Sequence, residues 1–166
     1  LDVLVNNAGI TRDALLMRMN ERQWDEVIQT NLKGAFFGMK AAIRPMMKNK
    51  FGRIINITSI VGLTGNPGQA NYSAAKAGVI GLTLTAARDL ARHSIRVNTI
   101  APGIFDTPLM KMAPDKIRDP LISSTQFPHR FGEPNEFAQL AMHIVENTYL
   151  NGETIRLDSG MRMQPR

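Results

Sequence analysis

The chain is 166 residues long and contains no cysteine, which suits one domain with its own core and excludes a disulfide framework or a thiolate-held metal. Hydrophobic residues make up 43% and charged residues 20%, so the chain is not of the disordered class. The net charge of +6 leaves an anionic small molecule, a nucleic acid or a membrane surface as candidate partners.

The opening, Leu1-Asp2-Val3-Leu4-Val5, reads as a buried strand and carries neither the basic region nor the cleavage site of a signal peptide. Because it begins inside a strand and without methionine, a preceding segment is expected. No apolar run reaches the roughly 20 residues of a membrane span, and no membrane partner is expected. Asn6-Asn7-Ala8-Gly9 then turns the chain. Asn20 followed by Gln23 reads as a helix cap. The helix is expected from about Glu21 to Asn49, with Trp24, Val27, Ile28, Leu32, Phe36, Met39, Ile43 and Met46 at helical spacing. Pro45 is expected to kink it or begin its end. The basic residues Arg44, Lys48, Lys50 and Arg53 are densest here. Aromatic residues are only 6%, too few for a base-stacking platform, so a solvated basic face is the plainer reading and no nucleic-acid partner is expected.

Arg53 to Thr58, with Ile54, Ile55 and Ile57, reads as a strand buried on both faces. A loop rich in Gly, Pro and Asn follows from Ser59 to Asn71. A second long helix is expected from about Tyr72 to His93, with the small residues Ala74, Ala75, Ala77, Gly78 and Gly81. Ile95 to Ala101 reads as a third strand, broken by Pro102-Gly103. Residues 104–133 are proline-rich, with at most one or two short helices, and a segment of that length is expected to be a lid or binding loop. A helix from Asn135 to about Asn147 and a strand from Thr154 to Leu157 complete the order β-α-β-α-β-loop-α-β. That order is the mark of a parallel sheet with helices on both faces, the α/β class. Ligands of such sheets sit beyond the carboxyl ends of the strands, where the chain here places Asn6 to Gly9, Ser59 and Pro102-Gly103.

Tyr72 and Lys76 stand four residues apart, on one face of a helix. An ammonium about 5 Å from the phenol, at an effective dielectric of about 20, is expected to lower its pKa by about 2 units. Tyr72 would then serve as a general acid or base near physiological pH. Ser59, at a strand end, reads either as a turn serine or as a donor to a substrate oxygen beside the phenol. Asn31 lies mid-helix, where asparagine has poor propensity, and is expected to bond nearby backbone or water.

Taken together, Asn-Asn-Ala-Gly after a strand, Asn31-x-x-Gly34, Ser59, Tyr72-x-x-x-Lys76 and Pro102-Gly103-x-x-x-Thr107 resemble the short-chain dehydrogenase/reductase superfamily over the whole chain. The resemblance implies a Rossmann-like doubly wound sheet and hydride transfer between NADP or NAD and a carbonyl or alcohol. It implies Tyr72 as acid/base, with Lys76 lowering its pKa and holding the nicotinamide ribose. It gives Ser59 the substrate carbonyl, and Asn31 a water linking Lys76 to solvent. Asn6, Ala8 and Gly9 would line the adenosine–ribose side of the cofactor. Pro102, Gly103, Ile104 and Thr107 would line its nicotinamide side. No metal is implied, and His93, His129 and His143 lack ligand spacing.

The chain departs from the family pattern at its start. The pattern places a strand, a Thr-Gly-x-x-x-Gly-x-Gly turn and two more β-α units before Asn-Asn-Ala-Gly, and these 166 residues do not contain them. The chain is therefore expected to be the catalytic part of one Rossmann-like domain, with 104–133 as substrate lid. It is expected to expose the face and edge where further strands pack.

Two branches compete. Asn6 to Met19 and Gly68-Gln69-Ala70-Asn71-Tyr72 resemble 3-oxoacyl-[acyl-carrier-protein] reductases. Phe127 to Pro134, Leu150 to Asp158 and Met161 to Pro165 resemble the 3-hydroxyacyl-CoA dehydrogenase type 2 branch. Both act at the β-carbon of an acyl thioester, carried on acyl carrier protein or CoA, and the first is the better general description. It implies a cytoplasmic protein; the second admits the mitochondrial matrix. The resemblance also implies a homotetramer with the helices at 21–49 and 72–93 at an interface. The small residues Ala74, Gly78 and Gly81 fit that interface and fit packing on the sheet equally. The rival from another class is an inactive fragment or a non-catalytic binding protein.

Overall fold

In a computed structural model that describes residues 1–161, the four apolar runs form one parallel sheet. Its strands are β1 (Val3–Asn6), β2 (Gly52–Ile57), β3 (Ile95–Pro102) and β4 (Thr154–Leu157), ordered β1-β2-β3-β4. Asn6 pairs with Asn56, Ile57 with Ile100 and Pro102 with Leu157, so the first three strands end at nearly one level. The α/β parallel architecture expected from the element order is the one observed. Arg162 to Pro165, part of the second branch's signature, lie outside the described residues.

The Asn20 cap forms as a reciprocal box. The Asn20 side chain accepts from the Gln23 N–H at 2.9 Å, and the Gln23 side chain accepts from the Asn20 N–H at 3.0 Å. The expected helix from Glu21 to Asn49 is one rod of three parts: α1 (Glu21–Val27), a π-helical turn (Ile28–Lys33) and α2 (Gly34–Asn49). Pro45 neither breaks nor ends α2, which runs to Asn49. Pro45 is exposed, so the carbonyl it leaves unbonded faces water. The next residue, Met46, is fully buried and anchors the last turn in the core.

The loop after β2 contains a one-turn helix, α3 (Val61–Thr64), and the second long helix, α4 (Ala70–Leu90), starts two residues before Tyr72. Segment 104–133 holds α5 (Pro108–Lys111) and α6 (Asp115–Ser123). Helix α7 (Pro134–Glu146) follows, with Pro134 in its first turn.

Helices α2 and α4 cover one face of the sheet. Met39, Ala42, Met46, Ala87 and Leu90 pack there against Ile54, Ile95 and Val97. Helix α7 covers the other face, where Ile144, Phe137 and Leu140 meet Ile55, Ile57 and Ile100. The strands progress in one direction throughout, yet the third connection lies on the opposite face. The β3–α7–β4 crossover therefore has the hand opposite to that of the first two. Arg96, buried on β3, holds α7 in this place. Its guanidinium donates at 2.7–2.9 Å to the carbonyls of Ile144 and Val145, which the end of the helix leaves unpaired, and of Leu150 in the loop beyond it.

β1 is an edge strand, with Val3 37% and Val5 46% exposed. On α4, Ala75, Val79, Thr83 and Ala87 face inward and Gly78 seats Leu32, while Ala74 and Gly81 are exposed. Ala74 and Gly81 thus face away from the sheet.

Ile54 sits in the α2/α4 core with 1% of its surface exposed. Ile54→Ala is expected to cost about 2–5 kcal/mol of stability, read as a lower denaturant midpoint. An unchanged midpoint would contradict this assignment of the core.

Candidate active site

The loops leaving the carboxyl ends of the strands are tied to one another by backbone hydrogen bonds. The Thr58 N–H donates to Ile100, the Ile60 N–H to Pro102 and the Gly103 N–H to Leu157, at 2.9–3.1 Å. These bonds extend the ladder past the strand ends. They fix Ser59 beside the end of β3 and Gly103 beside the end of β4. Ser59 is half-buried, and its hydroxyl accepts from the Val61 N–H at 3.2 Å, so it does serve the turn that starts α3. The same hydroxyl also interacts with the phenol of Tyr72.

Lys76 is 4% exposed. Its ammonium donates to the carbonyl of Ile57, the last residue of β2, at 2.8 Å. Its own carbonyl accepts from the Thr58 hydroxyl at 2.7 Å. Gly62 of α3 packs directly on it, since a Cβ there would stand 2.9 Å from the Lys76 backbone and Cβ. The end of β2 therefore grips Lys76 by both main chain and side chain. The ammonium lies 5.5 Å from the centre of the Tyr72 ring, so the two residues share one helix face as expected.

The electrostatics differ from the sequence expectation. Tyr72 is not lowered but raised above the ordinary phenol value. Burial is the largest cause, the Ser59 hydroxyl opposes it, and the nearby charge of Asp13 adds to it. Burial also pushes Lys76 down to about 8. A free, solvated ammonium at that distance would lower the phenol. In the fold that ammonium is desolvated and engaged with the Ile57 carbonyl, and the phenol's own desolvation wins. At neutral pH the phenol keeps its proton.

Asn31 is buried in the π-helical turn, and both ends of its amide bond one residue, Ile10: it accepts from the Ile10 N–H and donates to the Ile10 carbonyl, each at 2.8 Å. The backbone bonding expected of Asn31 is therefore present. Gly9 lies against it. A Cβ on Gly9 would stand 2.7 Å from the Asn31 oxygen and 3.6 Å from the Lys76 nitrogen, so Asn31 and Lys76 converge on the loop after β1. Ala8 is exposed in that loop. Asn6 turns its side chain the other way, under α2, donating to Asn56 at 2.8 Å and to the Ala35 carbonyl at 3.3 Å.

A cavity of about 440 Å³ opens at the strand ends, lined by Pro102, Gly103, Ile104 and Thr107. Asn7, Ile57, Phe105, Met110, Pro134 and Phe137 complete its wall and were not singled out in the sequence. Asn7 alone carried a signal, as part of Asn-Asn-Ala-Gly. The apolar residues come from the lid and α7, where nothing in the pattern separates a cavity wall from ordinary packing. Gly103 lets the chain leaving β4 approach closely, because a Cβ there would meet Asp158 at 2.9 Å. Thr107 caps α5, accepting from the Met110 N–H at 3.3 Å. Ile57 joins the two halves of the site: its carbonyl holds Lys76 and it lines the cavity. Among the described residues, no three or more His, Cys, Asp or Glu side chains are grouped to hold a metal. No helix among them is long and apolar enough to cross a membrane.

Lys76 has the sign of a cation buried at a cost. Its folded value of about 8 lies below the 10.5 of an exposed lysine, so between those values the unfolded chain binds more protons than the folded one. Stability relative to Lys76→Met is expected to rise by up to about 3 kcal/mol as pH climbs from below 8 to 10.5. Denaturant unfolding of both proteins across that range checks this. Parallel stability curves would contradict it.

The family model described as short chain dehydrogenase matches residues 1–118. The chain is 49% identical over 163 residues to 3-oxoacyl-[acyl-carrier-protein] reductase FabG of Thermotoga maritima, covering 97% of this chain and 66% of that protein. It is 49% identical over 165 residues to the FabG of Staphylococcus epidermidis and 48% over 166 to that of Vibrio cholerae, covering in each case 98% of this chain and 67% of the relative. The chain thus spans about two thirds of the length of these curated relatives. With the parallel sheet, the Tyr72–Lys76 face and the cavity lined by Gly103 in one place, the chain belongs to the short-chain dehydrogenase family.

Proposed function

We propose that this chain is the catalytic part of an NAD(P)-dependent oxidoreductase that interconverts 3-oxoacyl and 3-hydroxyacyl thioesters, of the 3-oxoacyl-[acyl-carrier-protein] reductase type. The observation that carries this is the buried Lys76 ammonium beside Tyr72, joined through Ile57 to a mostly apolar cavity. The names of the relatives, at 48–49% identity, point to the same substrate class.

The residues present fit the nicotinamide end of such a cofactor. Lys76 brings a positive donor against the loop after β1, 3.6 Å from where a Cβ on Gly9 would stand. Gly103, Ile104 and Thr107 line the cavity on the far side. When bound, the nicotinamide supplies or accepts the hydride. In the reducing direction Tyr72, which burial keeps as a neutral, protonated phenol at neutral pH, gives its proton to the carbonyl oxygen. Ser59 holds the same oxygen and steadies the phenol. Lys76 holds ribose hydroxyls and replaces the proton lost from Tyr72 by way of solvent. Asn31, whose side chain is bound at both ends to Ile10, fixes the loop beside Lys76 and keeps a donor and an acceptor free to hold the water that links Lys76 to solvent.

Segment 104–133 serves as the lid over the acyl chain; Phe105 and Met110 give the cavity an apolar wall. The carrier is acyl carrier protein in this reading. The exposed strip of Ala74, Gly81, Leu84, Phe36 and Phe37 suits the helix interface of a homotetramer. The alternative, a 3-hydroxyacyl-CoA dehydrogenase, uses the same residues in the oxidising direction.

The test is oxidation of reduced nicotinamide by this chain with acetoacetyl-CoA, using NADPH and NADH in turn. Turnover is expected with one of them. Tyr72→Phe is expected to lower kcat by about 10²–10⁴ while leaving the melting temperature nearly unchanged. Full activity in the Tyr72→Phe protein would refute the role of the phenol.

A further inference from the structure

Asn71, immediately before Tyr72, is fully buried in the first turn of α4. Its side-chain oxygen accepts from the Tyr72 N–H at 2.8 Å. Its amide group donates to the carbonyls of Arg12 at 3.0 Å and Gln23 at 2.9 Å. These partners fix the orientation of the amide, since one is a donor and two are acceptors. Aspartate could not make the two donations, and serine could make only one of them.

The three partners lie on three different segments. Tyr72 N–H is among the first four of its helix and has no carbonyl one turn back to bond. The capping position, Gln69, offers it no side-chain acceptor. Asn71 fills that gap. Gln23 belongs to α1. Arg12 belongs to the loop between β1 and α1, whose Gly9 faces Lys76. That loop is pinned elsewhere as well. Asn31 holds Ile10, the Gly68 carbonyl accepts from the Ala14 N–H at 2.9 Å, and Gln69 donates to Asp13 at 3.1–3.2 Å.

We propose that Asn71 is a positioning residue for Tyr72: it locks the backbone from which the phenol projects to the loop beside Lys76 and to α1, so that acid, ammonium and loop keep one geometry. This rests on the reading of Tyr72 as the acid/base. Asp13 on the same loop, Ser59 and Lys76 are the polar and charged groups around the phenol, and the Asn71 bonds tie the phenol's own backbone to the loop that carries Asp13.

Asn71→Ser and Asn71→Ala test this with two readouts. For acetoacetyl-CoA reduction, kcat is expected to fall by about 10- to 100-fold in both variants, with KM changed less than about threefold. The second readout needs no turnover. In a Tyr149→Phe background Tyr72 is the sole remaining tyrosine, and its ionisation can be followed by phenolate absorbance. The midpoint is expected to move by about half a pH unit or more in Asn71→Ser. A merely structural Asn71 would lower the melting temperature of Asn71→Ala but leave kcat within about twofold and the phenol midpoint in place, and that result would overturn the proposal. If the parent chain shows no turnover, the proposed activity fails, and the phenol titration still decides the role of Asn71. If Asn71→Ala does not fold, Asn71→Ser carries both readouts.

Discussion

The bond from the Lys76 ammonium to the Ile57 carbonyl is the constraint on which the rest of the site depends. A charge with so little exposure is costly to desolvate, and a single carbonyl does not repay that in full, which is why burial pulls the lysine down to about 8. What holds it in place is the surrounding fold. The Thr58 hydroxyl bonds the Lys76 carbonyl, Gly62 closes over its backbone, and Ala75 and Val79 on either side of it are buried against the sheet. The helix cannot turn the lysine outward without losing that packing. Strain of this kind, kept by packing, is common where a group is held for chemistry rather than stability.

From Lys76 the geometry spreads in two directions. Along α4 it sets Tyr72 on the same face. Through Ile57 it reaches the cavity lined by Gly103. The loop after β1 closes the third side, held by its backbone through two asparagines, Asn31 on Ile10 and Asn71 on Arg12. A π-helical turn places Asn31 there, in the middle of an otherwise regular helical rod. Such turns widen the helix by one residue and occur often at functional sites.

Much of this was legible in the sequence, because the relevant signals are local. The capping pair Asn20–Gln23, the β-branched runs of β2 and β3, and the spacing of Tyr72 and Lys76 each depend on residues a few positions apart. The family resemblance ordered them. The sign of the Tyr72 shift was not legible, because it turns on how deeply two side chains are buried, and a helical spacing carries no burial. The helix reads to Asn49, where it ends, but that Pro45 does not begin its end was not legible for a related reason: the next residue, Met46, is buried in the core. Asn71 reads as one more polar residue in a Gly/Asn-rich loop until its three partners, up to 59 positions away, are known. The lid and α7 residues on the cavity wall look like any apolar residues in a core.

The most direct test of the proposed site asks whether the residues around Lys76 receive the nicotinamide–ribose half of a dinucleotide. Titrating this chain with nicotinamide mononucleotide, which lacks the adenosine half, isolates that end of the site. Saturable binding is expected in the parent chain, weakened by about tenfold or more in Lys76→Met through loss of a charge-assisted hydrogen bond. Equal affinity in the two proteins, or no saturable binding by a folded parent chain, would contradict it.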